Sequence, residues 1–350
     1  MAYMTAGIDT YTIEGLDDLV AGLDQPRFRA TQLFEWLYGR GVASYDDMTN
    51  LPASLREQLT ETAPLHFPRI EDKRISADGT RKYILELHDG CLVETVGIPS
   101  TGSKDAGHER LTVCASSQVG CAMACQFCAT GQEGFTRNLS AGEIAWQVLL
   151  VAADFETRVS NVVLMGQGEP FLNYDNSLAA LRIINHAKGP NIGARHITVS
   201  SCGITEGIRR FGTEPEQFTL AISLHSAVQS TRDELMPRSA STPLDELKDA
   251  LLDYQQAAGR RISFEYLMID GVNTSDTDLE ALIDYCRGLS VHVNLLPINT
   301  VPGSPYTPCS KAKMQEWMSL LGRAGIEASV RTSRGSDIFG ACGQLKNTRS

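Results

Sequence analysis

The spacing of apolar positions changes character twice along the chain. Ala30, Leu33, Phe34, Leu37 and Tyr38 fall at i, i+3, i+4, i+7 and i+8, the stripe of one helix face. A second helix is expected after Asn50, with Pro52 in its first turn. Residues 1–66 therefore read as a small helical module. From residue 67 the period drops to two. RIEDKRI (69–75), RKYILEL (81–87) and CLVETVGI (91–98) are strand-like, and Asp78-Gly79 and Asp89-Gly90 between them are hairpin signals. This predicts a three-stranded meander. In its last strand Leu92, Glu94, Val96 and Ile98 share one face. A carboxylate in such company is costly unless it has a partner, has a task, or sits at an exposed edge.

A polar linker, STGSKDAGHE (100–109), follows the meander. Beyond it, strand-like and helical runs alternate. The strands are LTVCAS, NVVLMG (161–166), HITVSS (196–201), FTLAIS (218–223), ISFEYLMI (262–269), HVNLLPI (292–298) and ASVRTS (328–333). Helices lie between them, such as the one opened by the capping box Ser140 to Glu143. Alternating β and α units imply a parallel sheet with helices outside, and this number of units fits a barrel or a partial (β/α) barrel. The fold class expected is α/β: helical module at 1–66, β extension and linker at 67–105, barrel at 106–350. The site of such a barrel lies at the C-terminal ends of its strands.

Composition narrows the class without naming a function. The 350 residues are 42% hydrophobic and 21% charged, as in ordinary soluble globular chains. The longest apolar candidate, 145–155, is short and contains Gln147, so no membrane span is expected. MAYMTAGIDTYTIEG lacks the features of a signal peptide, and a cytoplasmic location is expected. The net charge of −11 argues against a basic surface over the whole molecule, though not against a local groove. Candidates for phosphate contacts are Arg27, Arg29, Lys73, Arg74, Arg81, Lys82, Arg137, Arg195, Arg209, Arg210, Arg260 and Arg261. Nine cysteines in a reducing compartment point to metal binding or catalysis before disulfides.

Three of the nine stand together. Cys121-Ala-Met-Ala-Cys125-Gln-Phe-Cys128 is a C-x3-C-x2-C triad on a loop after the first barrel strand. Structural zinc sites usually take four ligands in two separated pairs, and no partner pair follows. Three thiolates on a 4Fe-4S cluster leave one iron open to a chelating substrate. A zinc-containing RNA-binding protein without enzymatic activity is the alternative from a different class.

The triad resembles that of the radical S-adenosylmethionine (SAM) superfamily. The runs around it, 116–144, GQGEPFLN (166–173), ISLHS (222–226), NLLPIN (294–299) and SDIFGACGQL (336–345), are similar to the RlmN/Cfr family of RNA adenine methyltransferases. So is PRFRATQLFEWLY (26–38). The resemblance implies that Cys121, Cys125 and Cys128 ligate the 4Fe-4S cluster. It implies that Gly168, Glu169, Ser200, Ser223, Leu224, His225 and Asn299 bind SAM. Cys342 matches the family's methyl-carrying cysteine, Cys114 the second cysteine that resolves the covalent intermediate, and Glu94 the proton acceptor. Cys91, Cys202, Cys286 and Cys309 match no such role and read as structural.

The family chemistry explains the need for two thiols. Adenine C2 and C8 are electron-poor and do not attack a SAM methyl directly. The resemblance implies that Cys342 takes a methyl from one SAM and that a second SAM yields the radical that activates it. The carbon then adds to adenine, and Cys114 releases it by forming a disulfide with Cys342. RlmN-type members methylate C2 in 23S rRNA, and some also act on tRNA; Cfr-type members methylate C8. Gly168-Glu169-Pro170 resembles the RlmN branch. An electron donor such as flavodoxin or ferredoxin is implied. Two departures from the family pattern are Gln167, where Met is commoner, and MPRSASTPLDEL (236–247), which lacks the usual Met-Pro-Ile-Asn run.

Overall fold

Two Asp-Gly turns set one edge of the sheet. The computed structural model of the chain describes residues 7–101, 109–301 and 303–346. Strands β1 (Arg69–Ile75), β2 (Arg81–Glu86) and β3 (Leu92–Thr101) form the expected antiparallel meander. Gly79 (φ +83°) and Gly90 (φ +79°) take the left-handed backbone that these turns require. Of the expected linker, Ser100 and Thr101 belong to β3, residue 109 opens β4 (Glu109–Ala115), and 102–108 lie outside the described residues.

β4 runs antiparallel to β3, with Val96 opposite Cys114. The meander and the barrel therefore share one sheet. β5 (Gln118–Gly120) and β6 (Phe135–Asn138) pair only with each other. β7 (Asn161–Leu164), β8 (Ile197–Ser201), β9 (Thr219–Ser223), β10 (Ile262–Met268), β11 (Val291–Pro297) and β12 (Glu327–Val330) complete the set. The large sheet is ordered β1-β2-β3-β4-β7-β8-β9-β10-β11-β12. From β4 onward every neighbouring pair is parallel. This is the partial barrel, one of the two forms that the alternation of strands and helices allows and the one that the family resemblance implies.

The N-terminal helices are Ile13–Gly22, Phe28–Phe34 and Ala53–Thr62. The second continues as a π-turn over Glu35–Gly39, and this wider turn buries Trp36, Leu37 and Tyr38 together. Tyr38 and Phe67 then meet Trp146, on the helix Ala141–Phe155, with ring centroids 6.1 and 5.0 Å away. The expected capping box opens that helix. Its Ser140 hydroxyl also donates to Asp9 Oδ2 at 2.8 Å, and a Cβ on Gly142 would lie 2.7 Å from Asp9 Cα. One hydrophobic core runs through the module and the barrel. Among the described residues no helix is long and apolar enough to cross a membrane.

Candidate active site

β5 and β6 pinch the two ends of the cysteine loop. Cys121 N donates to Gly134 O at 2.8 Å, and a Cβ on Gly131 would lie 2.8 Å from Cys125 N. The loop is thereby folded tightly enough to bring Cys121, Cys125 and Cys128 into one apolar pocket with Met123, Phe127 and Leu235. Burial, reinforced by the neighbouring thiols, pushes the Cys121 thiol up to about 12 and the Cys128 thiol up to about 11. Binding a cationic metal centre would draw those protons off. Among the described residues no three His, Cys, Asp or Glu side chains converge closely enough for a single ion. Three soft thiolate donors spaced around a shared pocket suit the larger iron–sulfur cube.

The strand ends supply the rest of the basin. Gly168, after β7, has φ +100°, and a Cβ there would lie 2.6 Å from Gln118 Cβ, so only glycine fits. It turns the chain so that Glu169 points inward. The Glu169 carboxylate accepts from Cys202 N (2.7 Å) and Phe171 N (3.0 Å), and its burial raises its pKa against those bonds. Ser200 Oγ and Ser223 Oγ, at the ends of β8 and β9, lie 3.3 Å apart. Leu224 is wholly buried, and its N–H donates to Glu265 O at 3.1 Å. His225 is buried with φ +56°, and its Nδ1 accepts from Leu267 N at 3.1 Å. Burial drives its pKa down to about 3, so the ring is neutral and carries its proton on Nε2. The ring also meets Phe127 of the cysteine loop edge-on, 4.8 Å between centroids.

Residues 335–346 cross over this basin. Gly343 (φ +80°) accepts from Ala129 N at 2.8 Å. Asn299 Nδ2 donates to Cys342 O (3.1 Å), Thr130 Oγ1 to Leu345 O (2.7 Å) and Lys346 N to Glu94 Oε2 (3.0 Å). Cys342 is thus held beside the cysteine loop. Protein surrounds it, yet it lines a space open to solvent. Its thiol pKa is raised by burial and by Glu265, and lowered by Arg331. Cys114 lies beneath, packed with Val96 and Leu345, and burial followed by the nearby Cys342 raises its pKa strongly.

Glu94 is not at an edge. It is fully buried on an inner strand, with Oε1 accepting from Lys82 Nζ at 3.0 Å. Burial raises its pKa to about 7 against the pull of Lys82. Lys82, considered from sequence as a phosphate contact, is therefore an internal ion-pair partner. Several other cations on that list also have partners within the chain: Arg27 with Asp17, Lys73 and Arg81 with Asp154, Arg137 with Asp89 and Glu143, Arg209 with Asp253, Arg210 with Asp175.

The structure thus brings all thirteen candidate residues to one end of the barrel. Sequence reasoning missed three others. Gln167 accepts from Glu94 N at 3.0 Å, and its departure from the family pattern was the available signal. Cys202, expected to be structural, stands in the same pocket as Cys125. Glu265, opposite Ser223 in register, accepts from Asn294 at 2.8 Å and lies near Cys342.

Comparison with known proteins follows the same division of the chain. Residues 8–65 match the ribosomal RNA large subunit methyltransferase N-terminal domain, and residues 116–286 match the radical SAM superfamily. The chain is 45% identical to a protein of Gloeobacter violaceus, over 98% of this chain and 96% of that one. It is 44% identical to one of Synechococcus elongatus, over 96% and 92% respectively. Both are named probable dual-specificity RNA methyltransferase RlmN. The chain belongs to the RlmN family. A radical SAM methyltransferase from Sphaerobacter thermophilus has the same fold over 98% of this chain and 100% of its own, with a TM-score of 0.91 and 41% identity. Membership of this radical SAM methyltransferase family removes the non-enzymatic zinc-protein reading.

Proposed function

We propose that this RlmN-family chain methylates C2 of an adenosine in 23S rRNA and in tRNA, by way of S-methylcysteine at Cys342 and with two SAM per turnover. The observation that carries the reading is the convergence of Cys114 and Glu94 with Cys342, which lies on the tail tied to the cysteine loop. The names of the relatives support RNA as substrate. Cys121, Cys125 and Cys128 would hold the 4Fe-4S cluster, and Gly168, Glu169, Ser200, Ser223, Leu224, His225 and Asn299 would enclose SAM. When bound, the cluster, fed by a donor of the flavodoxin or ferredoxin class, supplies the electron that opens SAM to a carbon radical.

The chain's own residues do the remaining work. Cys342 carries the methyl group on its sulfur; Asn299 holds its carbonyl, and Ala129 holds that of the next residue, Gly343. Glu94, with a pKa of about 7, takes the ring proton once carbon has added to the base. The Cys114 thiol attacks the Cys342 sulfur, the bond from that sulfur to the adenine-bound carbon breaks, and the carbon keeps the electron pair and takes up a proton as the product methyl group. The Cys114–Cys342 disulfide left behind must be reduced before the next cycle.

Mass spectrometry of nucleosides from rRNA and tRNA tests the substrate, in a host lacking its own enzyme. It should show 2-methyladenosine in both; 8-methyladenosine would assign the chain to Cfr-type chemistry instead. The two-thiol route has its own test. Cys114→Ala protein should be isolated with RNA covalently attached, as a nuclease-sensitive band shifted on a denaturing gel. Adding Cys342→Ala should abolish the shift. Normal methylated RNA released by Cys114→Ala protein would overturn the route.

A further inference from the structure

Arg232 lies on the helix Gln229–Leu235 and is fully buried. Its Nη2 donates to Cys202 O at 2.7 Å, while Nε and Nη1 are buried with no partner. Asp233, next along the helix, accepts from Gln229 instead. A guanidinium keeps its charge under almost any burial, and an unmatched buried charge is strongly unfavourable. The question is what compensates it.

The surroundings point one way. Gln126 N, inside the cysteine loop, donates to Leu235 O at 2.9 Å, so the Arg232 helix is docked directly on that loop. Leu235 and Met236 share the apolar pocket with Met123 and Cys125. Gly203, with φ +107°, comes so near that a Cβ there would lie 3.1 Å from Arg232 Nη2. The Cys202 and Cys125 sulfurs lie near enough to Arg232 for a negative charge on either to act on it, as do the side chains of Tyr285 and Asp233. Cys202 links the two ends of this arrangement, since its carbonyl takes Arg232 and its N–H holds Glu169.

We propose that Arg232 is the built-in counter-ion of the iron–sulfur cluster. The proposal rests on the cluster reading of the cysteine loop. Three thiolates and the cluster they hold carry net negative charge, and one further electron makes that charge larger. A fixed cation beside them, shielded from water, stabilises the reduced state and raises the reduction potential. In the cluster-free chain the same cation is unmatched and only destabilises.

The test uses the full chain, reconstituted anaerobically with iron and sulfide, as wild type, Arg232→Met and Arg232→Lys. Iron and sulfide analysis comes first. Wild-type protein that takes up no cluster overturns the cluster reading, and Arg232 as its counter-ion with it. Redox titration followed by electron paramagnetic resonance comes second. Arg232→Met should hold a full complement of iron and titrate at a more negative potential, and Arg232→Lys should return most of the way to wild type. Equal potentials in wild type and Arg232→Met, at equal iron content, overturn the proposal alone. So does weaker SAM binding at unchanged potential, which would give the charge to SAM. The third readout is thermal unfolding of cluster-free protein. Arg232→Met should unfold no earlier than wild type, because it sheds an unmatched charge, and Cys202 O keeps the Ser239 hydroxyl at 3.3 Å. A loss of stability equal in the cluster-free and loaded forms would mark Arg232 as packing and sink the idea.

Discussion

Lys82 and Glu94 sit diagonally across β2 and β3, since Ile84 stands opposite Glu94 and Lys82 opposite Val96. The cation holds the carboxyl down while burial pushes it up, and the balance falls at about 7. Below that pH the group is protonated and cannot accept a ring proton. Turnover should therefore rise with pH along a limb centred near 7. Lys82→Met removes the opposing cation, so the limb should move to higher pH; a kcat–pH profile with an unmoved limb would separate Glu94 from the proton transfer. Glu94→Gln keeps the shape and should slow turnover by roughly 10²–10⁴-fold, while iron content and S-methylation of Cys342, read by peptide mass spectrometry, stay as in wild type. The strand alternation was enough to show that Glu94 is out of place on its face. It could not reveal Lys82 as the partner, because β2 is buried on both faces and its pattern does not alternate.

At the scale of elements, the long periodic segments were legible. The meander strands, the seven barrel strands and the capping box at Ser140 all lie where periodicity and turn chemistry put them. The β5–β6 pair and the helix Ala129–Glu133 were not anticipated, because elements of three to five residues leave no period to read. Their form comes from the pinch around the cysteines, a tertiary constraint. The docking of the helical module was equally invisible, since it rests on contacts such as Asp9 to Ser140 over 131 residues. Trp146, fully buried against Tyr38 and Phe67, is the centre of that contact. Trp146→Ala should cost about 3–5 kcal/mol in urea unfolding. A loss below 1 kcal/mol would mean that the module and barrel are held by other contacts.

At the scale of the whole molecule, the sheet is open: β1 and β12 are its two edges and do not pair. Residues 335–346 bridge that seam. Asp337 accepts from Ser76 Oγ (2.6 Å) and Ala77 N (3.2 Å), and Gly335 N donates to Asp78 Oδ2 (3.1 Å). Asp337→Ala should loosen the bridge without unfolding the barrel. Amides of residues 340–346 should then exchange hydrogen faster while those of β7 and β8 keep their protection, and methylation should fall; uniform acceleration across the sheet would contradict a separable tail. The Ser76–Asp337 bond spans 261 residues in sequence, but once the sheet has formed only the short stretch after Val330, the end of β12, has to close. Every barrel strand can pair before that closure, since each joins a neighbour already in the sheet. During synthesis, the stretch bearing Cys342 emerges from the ribosome after all twelve strands. The sheet therefore has a chance to fold before the proposed carrier thiol exists, and the proposed reactive centre is completed only when this stretch docks. Under thermal fluctuation, a stretch held to the β1–β2 turn by a few hydrogen bonds can open locally while the strands stay paired.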